Sequence, residues 1–287
     1  MKNFKYFFEF LVIIILFSIF KIIGYKLASN FGNLIGKIFG PLFRSKKVTS
    51  ENIKKLNSSY EEIEINEIIR KMWGNYGRIF AEYPYIPSFR KKKLEHYLEI
   101  KGKKNLERIK KDNKPVIFVS GHFNNFELMA MIIEREGINL SAVYRPLNNK
   151  FLNIIMEYLR KKYICKNQIR KGLKGLREAL TRFKKGESLA IMIDQRVSEG
   201  IDSKLFGKNA FTTTIPAQFI KKFDCVVQPV FIERVDGVYF KVFFEEQLRF
   251  DKNQNIEQIT EVLNEWLEKK IIKNPDQWIL THNRWKR

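Results

Sequence analysis

A histidine and a glutamate near the middle of the chain have the types and spacing of a general base and the group that orients it. They lie in the segment SGHFNNFE (120–127), which follows a predicted buried strand at 116–120. A helix beginning near Asn124 would bring Glu127 back beside His122 about one turn later. A carboxylate bonded to one ring nitrogen would fix the tautomer, so that the other nitrogen could take a proton from a hydroxyl. His122 and Glu127 are therefore the predicted catalytic residues.

Polar residues after other predicted strands are candidates for binding a substrate. Arg145 follows the strand predicted at 140–144, and a guanidinium could grip a phosphate or support an oxyanion with two donors. The further candidates are Asn125, Arg170, Asp194, Gln195 and Arg196. The oxyanion donors could be backbone N–H groups near Asn124 and Asn125 or a nearby arginine. The alternatives are a surface role for Arg145 and a loop-capping role for Asp194 and Gln195.

These residues need a sheet that brings strand ends together, and the apolar pattern predicts one. The predicted strands are 116–120, 140–144, 188–194, 225–233 and 238–244, and the predicted helices are 62–83, 126–135, 151–163, 173–184 and 256–272. This order predicts an α/β fold with a mixed, mostly parallel sheet flanked by helices. In such sheets the ligand site lies at the carboxyl ends of the strands.

The N-terminus carries a candidate membrane anchor. Residues 10–20 are uncharged, and extending the run to 6–23 admits only Glu9 and Lys21, which gives roughly the length of a bilayer span. A cleavable signal peptide is the alternative, but no small-x-small cleavage site follows. Basic residues after the run outnumber those before it, which predicts a cytoplasmic location for the rest of the chain. Full crossing and shallow insertion both remain open because Glu9 lies near one end.

Glycines recur every fourth residue after this run, at Gly32, Gly36 and Gly40. They predict one small-residue helix face, which could be a packing seam or an ordinary close approach of a neighbouring helix. We therefore expect residues 1–47 to form a membrane anchor with an interfacial helix. No repeat or linker divides residues 48–287, which are expected to form a single domain.

Composition narrows the class of protein. A hydrophobic fraction of 45% excludes a disordered chain, and two distant cysteines exclude a disulfide scaffold and argue against a zinc site. Lys and Arg number 53 against 31 Asp and Glu, and the net charge of +22 favours anionic partners. We find no recognisable nucleic-acid-binding motif, so we expect no nucleic-acid partner. Because the cysteines are distant from each other, we also expect no metal.

Six ordered blocks resemble the lysophospholipid-type acyltransferases, whose motif is His-x4-Asp/Glu, and most closely the branch that acylates lipid A late in its biosynthesis. The block at 121–127 is similar to the catalytic motif, and the others lie at 73–82, 143–145, 193–196, 206–212 and 275–287. Arg196 stands where the family usually carries another acid, and Leu205-Phe206 replaces a pair of phenylalanines. The absence of a Pro-Glu-Gly-Thr block after the catalytic motif favours the lipid A branch over phosphatidate synthesis.

The resemblance implies a fold like that of the glycerol-phosphate acyltransferases and an O-acyltransferase activity. It implies transfer of an acyl chain from an acyl carrier protein thioester to a hydroxyl of a lipid A precursor of the Kdo-lipid IVA type, without a cofactor. His122 would be the base, and Glu127 would support the imidazolium. The expected partners are acyl carrier protein, an anionic lipid acceptor and the inner membrane, with the catalytic domain on its cytoplasmic side. The alternatives are acylation of another glycolipid or a lysophospholipid, and a membrane-tethered basic binding protein without catalysis.

Overall fold

A computed structural model describes residues 2–286, so Met1 of the predicted anchor and Arg287 of the C-terminal block lie outside the described residues. The strands are β1 (Leu98–Lys101), β2 (Ile117–Ser120), β3 (Leu140–Tyr144), β4 (Asn167–Arg170), β5 (Ser188–Met192), β6 (Ile201–Leu205), β7 (Lys208–Thr212), β8 (Val227–Val235) and β9 (Tyr239–Phe244). The helices are α1 (Lys2–Ile23), α2 (Tyr25–Phe39), α3 (Lys46–Leu56), α4 (Glu62–Glu82), α5 (Ile86–Arg90), α6 (Lys103–Asp112), α7 (Glu127–Arg135), α8 (Lys150–Leu159), α9 (Leu173–Lys184), α10 (Ile215–Phe223) and α11 (Ile256–Lys273).

Seven strands form one sheet in the order β1-β9-β8-β2-β5-β3-β4, while β6 and β7 form a separate hairpin. Neighbours in the large sheet are parallel except β8 and β9, which confirms the predicted mixed, mostly parallel architecture. All four residues of β2 are buried, as expected for a central strand covered on both faces. Ser120 of β2 pairs in register with Met192 of β5, so the segments that follow these two strands meet at one edge of the sheet.

The long apolar elements match their predicted positions, and the short polar ones were missed. Strand β3 and helix α9 have the predicted bounds. The predicted helix 151–163 instead ends as an α-helix at Leu159 and continues as a π-helical turn, Arg160–Ile164. The elements without a predicted counterpart are α3, α5, α6, β4, α10 and the β6–β7 hairpin. In β4 only Ile169 is fully buried, so the strand carries no apolar run that would reveal it.

Helix α1 is long and apolar enough to cross a membrane by length and composition, and only 6% of its apolar stretch is buried. Its buried side contacts the rest of the chain near both ends. Toward the C-terminal end Phe20 is 1% exposed, and the hydroxyl of Tyr85 donates to its carbonyl over 2.5 Å. Toward the N-terminal end the amide of Asn149 donates to the carbonyl of Tyr6 over 2.8 Å, and the rings of Phe7 and Phe151 lie 5.6 Å apart.

The glycine face of α2 is a packing seam against α4. A Cβ on Gly32 would lie 2.3 Å from the carbonyl oxygen of Gly77, and one on Gly36 would lie 2.1 Å from that of Trp73. A Cβ on Gly77 would lie 1.9 Å from the carbonyl oxygen of Gly32. Any larger residue would therefore push the backbones of the two helices apart. The periodic glycines serve a contact within the chain.

Candidate active site

The imidazole of His122 lies just beyond the carboxyl end of β2, beside a carboxylate that follows β5. The Nδ1 atom of His122 is 2.7 Å from Oδ1 of Asp194, and the Asp194 side chain is fully buried. Since a carboxylate only accepts, this contact requires Nδ1 to carry the proton when the ring is neutral. The Nε2 atom is then unprotonated. Among the described residues it has no hydrogen-bond partner, and 21% of the His122 side chain is exposed.

The second oxygen of Asp194 is held by two further donors. Oδ2 accepts the backbone N–H of His122 over 2.7 Å and the indole N–H of Trp278 over 2.9 Å. The close approach requires a small residue before the histidine, because a Cβ on Gly121 would lie 3.3 Å from the Cβ of Asp194 and 2.8 Å from the ring of Phe123. The carboxylate is therefore fixed from both sides, and the ring is fixed by the carboxylate.

The pairing shifts both titrations in the direction that favours a charged pair. Burial disfavours the imidazolium of His122, but the charge and hydrogen bond of Asp194 outweigh burial and raise the pKa of His122. Burial likewise disfavours the carboxylate, but the charge and hydrogen bonds of His122 and the Trp278 indole outweigh it and lower the pKa of Asp194. A raised histidine pKa makes Nε2 a stronger base than an ordinary imidazole.

The expectation that Glu127 orients the His122 ring is corrected by this geometry, because Asp194 occupies Nδ1. The carboxylate of Glu127 instead binds the guanidinium of Arg160, whose Nε and Nη2 lie 2.8 and 2.6 Å from Oε1. The physical reason is local: α7 begins at Glu127 itself, and the π-helical turn Arg160–Ile164 packs against α7 and presents Arg160 to it. Glu127 still lies near enough to His122 to add to the raised pKa of the ring.

The loop between β2 and α7 is held in a single shape by polar contacts. Asn124 has a left-handed backbone (φ 44°), and its amide donates to the Ile232 carbonyl and the Gln277 side chain over 3.0 and 2.7 Å. Its backbone N–H donates to the carbonyl of Gln277, so it is not available as an oxyanion donor. The N–H of Asn125 makes no hydrogen bond among the described residues. The Asn125 side chain is fully buried and donates to Glu82 over 3.3 Å.

Among the described residues, none of the remaining predicted substrate ligands forms a hydrogen bond or ion pair with the His122 side chain. Arg145 is exposed and forms no ion pair among residues 3–286. Arg170 is exposed, and its guanidinium binds Glu157 over 3.0 Å and the Tyr144 hydroxyl over 3.1 Å. Gln195 is half-buried beside Asp194.

Arg196 is tied to the C-terminal segment. Its backbone N–H donates to Nε2 of His282 over 3.1 Å, and its Nε donates to the Lys286 carbonyl over 2.7 Å. Burial lowers the pKa of His282, which suits a neutral ring that accepts at Nε2. These contacts give Arg196 and His282 a positioning role for the segment that carries Trp278.

Two residues of the site were not singled out from the sequence. Arg160 lies in the run RKKY (160–163), where nothing distinguishes it from the lysines beside it. Trp278 belongs to a block that resembles the family, but its role as a donor to Asp194 depends on a contact across 84 positions. The completed site has a partly exposed, oriented base and a carboxylate-held guanidinium near it. It can deprotonate a hydroxyl and offers positive charge to a developing oxyanion or a phosphate.

Comparison with known proteins agrees with this chemistry. The family model described as bacterial lipid A biosynthesis acyltransferase matches residues 1–287. The chain is 22% identical over 270 residues to the lipid A biosynthesis palmitoleoyltransferase of Escherichia coli K12, covering 91% of this chain and 86% of that protein. It has the same identity and coverage with the lipid A biosynthesis acyltransferase of Shigella flexneri. The chain therefore belongs to the bacterial lipid A biosynthesis acyltransferase family.

Proposed function

We propose that this protein transfers a fatty acyl chain from an acyl carrier protein thioester to a hydroxyl of a lipid A precursor of the Kdo-lipid IVA type. The observation that carries the proposal is the free Nε2 of His122, opposite an Nδ1 that Asp194 holds at 2.7 Å. A hydroxyl is a poor nucleophile until its proton is removed, and a tautomer-fixed imidazole performs that removal. Family membership supplies the acyl-transfer class and the lipid A pathway.

In the proposed reaction the acyl chain passes directly from the thioester to the acceptor hydroxyl. Nε2 of His122 takes the proton of the acceptor hydroxyl while its oxygen forms a bond to the thioester carbonyl carbon. The resulting tetrahedral intermediate collapses and the carbon–sulfur bond breaks. The leaving thiolate then takes from the imidazolium the proton that came from the acceptor hydroxyl. Asp194 balances the positive charge on the ring throughout. No covalent enzyme intermediate and no cofactor are needed.

Arg160 is the proposed electrostatic partner of the reacting groups. It is a guanidinium close to the His122 site, and its bond to Glu127 fixes its orientation. Nε and Nη2 contact Glu127 and Nη1 does not, so Nη1 is the proposed donor to an oxygen of the oxyanion or of an acceptor phosphate. The free N–H of Asn125 is the backbone candidate for the same oxygen. Glu127 therefore acts by positioning Arg160.

The proposed route for the lipid substrates runs along an apolar surface formed by α1 and α8. Phe8 and Ile15 of α1 are 62% and 59% exposed, and Ile154 and Tyr158 of α8 are 70% and 54% exposed. Helix α8 leads directly into the turn that carries Arg160. A bilayer covering this surface would place acceptor lipids beside the site.

We propose the cytoplasmic face of the inner membrane as the location, with α1 as the anchor. The net charge of +22 supports attraction to an anionic bilayer surface and to an acidic carrier protein.

The test is mass spectrometry of the lipids formed when membranes containing the protein receive a Kdo-bearing tetra-acyl lipid A precursor and acyl carrier thioesters. The expected product is heavier by one acyl chain and absent with His122→Ala. Coenzyme A thioesters in a parallel reaction identify the carrier. Folded protein that yields no such product would contradict this acceptor, and the same assay with other glycolipids and lysophospholipids would then identify the substrate.

A further inference from the structure

A polar cavity of about 120 Å³ lies between α2, α4 and the segment after α11, outside the site at His122. The side chains that define its character are Lys37, Lys71, Asn75, Arg78, Arg234 and Asp276. Four of them are cations and one is a carboxylate.

Two of the cations have carboxylate partners of their own and two do not. Lys71 pairs with Glu67 over 2.7 Å, and Arg234 pairs with Glu82 over 2.6 Å. Lys37 and Arg78 form no ion pair among residues 3–286, so against Asp276 the cavity keeps an excess of one positive charge. Burial and then the neighbouring cations lower the pKa of Lys37. Burial and then the charge of Arg234 lower the pKa of Arg78, and the nearby Glu82 only partly offsets them.

A buried amide adds an unused donor to this cluster. Asn75 is 5% exposed, and its Oδ1 accepts the Nε–H of Arg234 over 2.9 Å. That bond fixes the orientation of the amide, because Arg234 can only donate. The Nδ2 group, a donor, has no partner among the described residues, although buried donors are nearly always satisfied. An anion in the cavity would meet a donor as well as positive charge.

The cavity wall depends on a glycine. A Cβ on Gly74 would lie 2.7 Å from Nδ2 of Asn33 and 3.0 Å from Cε of Lys37, so a larger residue here would displace the ends of these two side chains from their positions over α4. On α2 these side chains lie next to the exposed apolar face that includes Leu34 and Ile38, 53% and 57% exposed. A bilayer that covered this face would bring its head groups to the level of Lys37.

We propose that this cavity binds a phosphate-type anion, either the head-group phosphate of an anionic lipid or free phosphate. Lys37 and Arg78 supply the charge, and Asn75 supplies a hydrogen bond. The inference does not depend on acyl transfer, because its ligand is held apart from His122 by contacts the reaction does not use.

The experiment measures thermal unfolding of the full-length protein in a non-ionic detergent during titration with dihexanoyl phosphatidate. Bound ligand raises the unfolding temperature in a saturable way. Dihexanoyl glycerol, which lacks the phosphate, reports apolar binding alone, and inorganic phosphate in a separate titration distinguishes the two sources. Lys37→Gln removes one of the two positive charges that have no carboxylate partner, and Lys26→Gln makes the same change at an exposed position of the same helix.

We expect saturable stabilisation by phosphatidate in the wild type and in Lys26→Gln, and about tenfold weaker affinity in Lys37→Gln. Without ligand, Lys37→Gln should be at least as stable as the wild type, because it relieves repulsion. Equal effects of inorganic phosphate would identify a site for the free anion, and an effect of phosphatidate alone would identify a lipid site. Equal affinities of the two glutamine variants, or stabilisation by dihexanoyl glycerol as strong as by phosphatidate, would overturn the proposal.

Discussion

Two buried ion pairs flank the loop between β2 and α7, and they differ in whether every nitrogen of the positively charged side chain has a partner. On one side Glu82 binds Arg234 through both oxygens, over 2.6 and 2.9 Å, and Asn75 takes the Nε–H of the same guanidinium. Every nitrogen of Arg234 has a partner. On the other side the Asp194 oxygens are all used, whereas Nε2 of His122 has no partner in residues 3–286.

The difference separates a cluster that maintains the fold from one that performs chemistry. A fully paired buried ion pair has no capacity left for a substrate, and breaking it leaves an uncompensated charge. A cluster with one free basic atom, oriented by a buried carboxylate and 21% exposed, is prepared to accept a proton from outside. Substitutions in the first cluster should therefore lower stability, and substitutions in the second should lower activity.

The largest expected effect belongs to Asp194→Asn. The amide keeps the shape of the side chain but removes the charge that balances the imidazolium and can stabilise the wrong ring tautomer. We expect acyl transfer to fall about 10³-fold. Thermal unfolding serves as the control and should show a folded protein. A folded variant that transfers acyl chains within tenfold of the wild-type rate would remove Asp194 from the mechanism.

Glu82→Gln should have the opposite profile. It leaves Arg234 buried without its counterion, so we expect the free energy of unfolding to fall by about 3–5 kcal/mol. Activity per folded molecule should stay within about twofold of the wild type, because no substrate contact is lost. Denaturant titration and single-turnover rates on the same preparation measure both quantities. Ser29→Ala removes the 2.7 Å hydrogen bond to Glu82 and the 3.0 Å bond that the hydroxyl accepts from Arg78, and it offers a milder variant that retains the ion pair.

Glu127→Gln should lie between these two. The Glu127 and Arg160 side chains are 11% and 14% exposed, so their pair is nearly buried and adjoins the reacting groups. Loss of the charge should loosen Arg160 and lower the rate by about 10–100-fold. Arg160→Lys is the matched variant, since it keeps the charge but not the two-pronged bond to Glu127. If both variants keep the wild-type rate, Arg160 does not act on the reaction.

The smallest expected effect concerns the seam that supports the fold-maintaining cluster. Gly77→Ala would drive a methyl group into the backbone of Gly32, and the unfolding free energy should fall by about 1–3 kcal/mol. Arg70→Ala, at an exposed position of the same helix, should cost well under about 1 kcal/mol. Denaturant titration of both variants makes the comparison. Equal losses would show that the close approach of α2 and α4 is not required for stability.

The sequence predicted the elements of this fold better than the partners of its side chains. Strand β2 is visible in the sequence as a short apolar run, and helix α9 is visible from its helical periodicity. Strand order does not, and it is the adjacency of β2 and β5 that joins His122 to Asp194 across 72 positions.

Asp194 was identified as a polar residue at a strand end and assigned to substrate binding. The spacing of His122 and Glu127 predicted a direct contact between these two side chains. That contact is absent because the π-helical turn after α8 supplies Arg160 to Glu127, and this turn has no signal in the apolar pattern.

The most direct test of the central claim is the pH dependence of the acyl-transfer rate in the wild type and in Asp194→Asn. His122 must be deprotonated to act, so the rate should rise with pH through its pKa, which Asp194 raises above the ordinary histidine value. Removing the carboxylate charge should move this rise to lower pH in the residual activity of the variant. A rise at the same pH in both proteins would show that the base is a group other than His122 paired with Asp194.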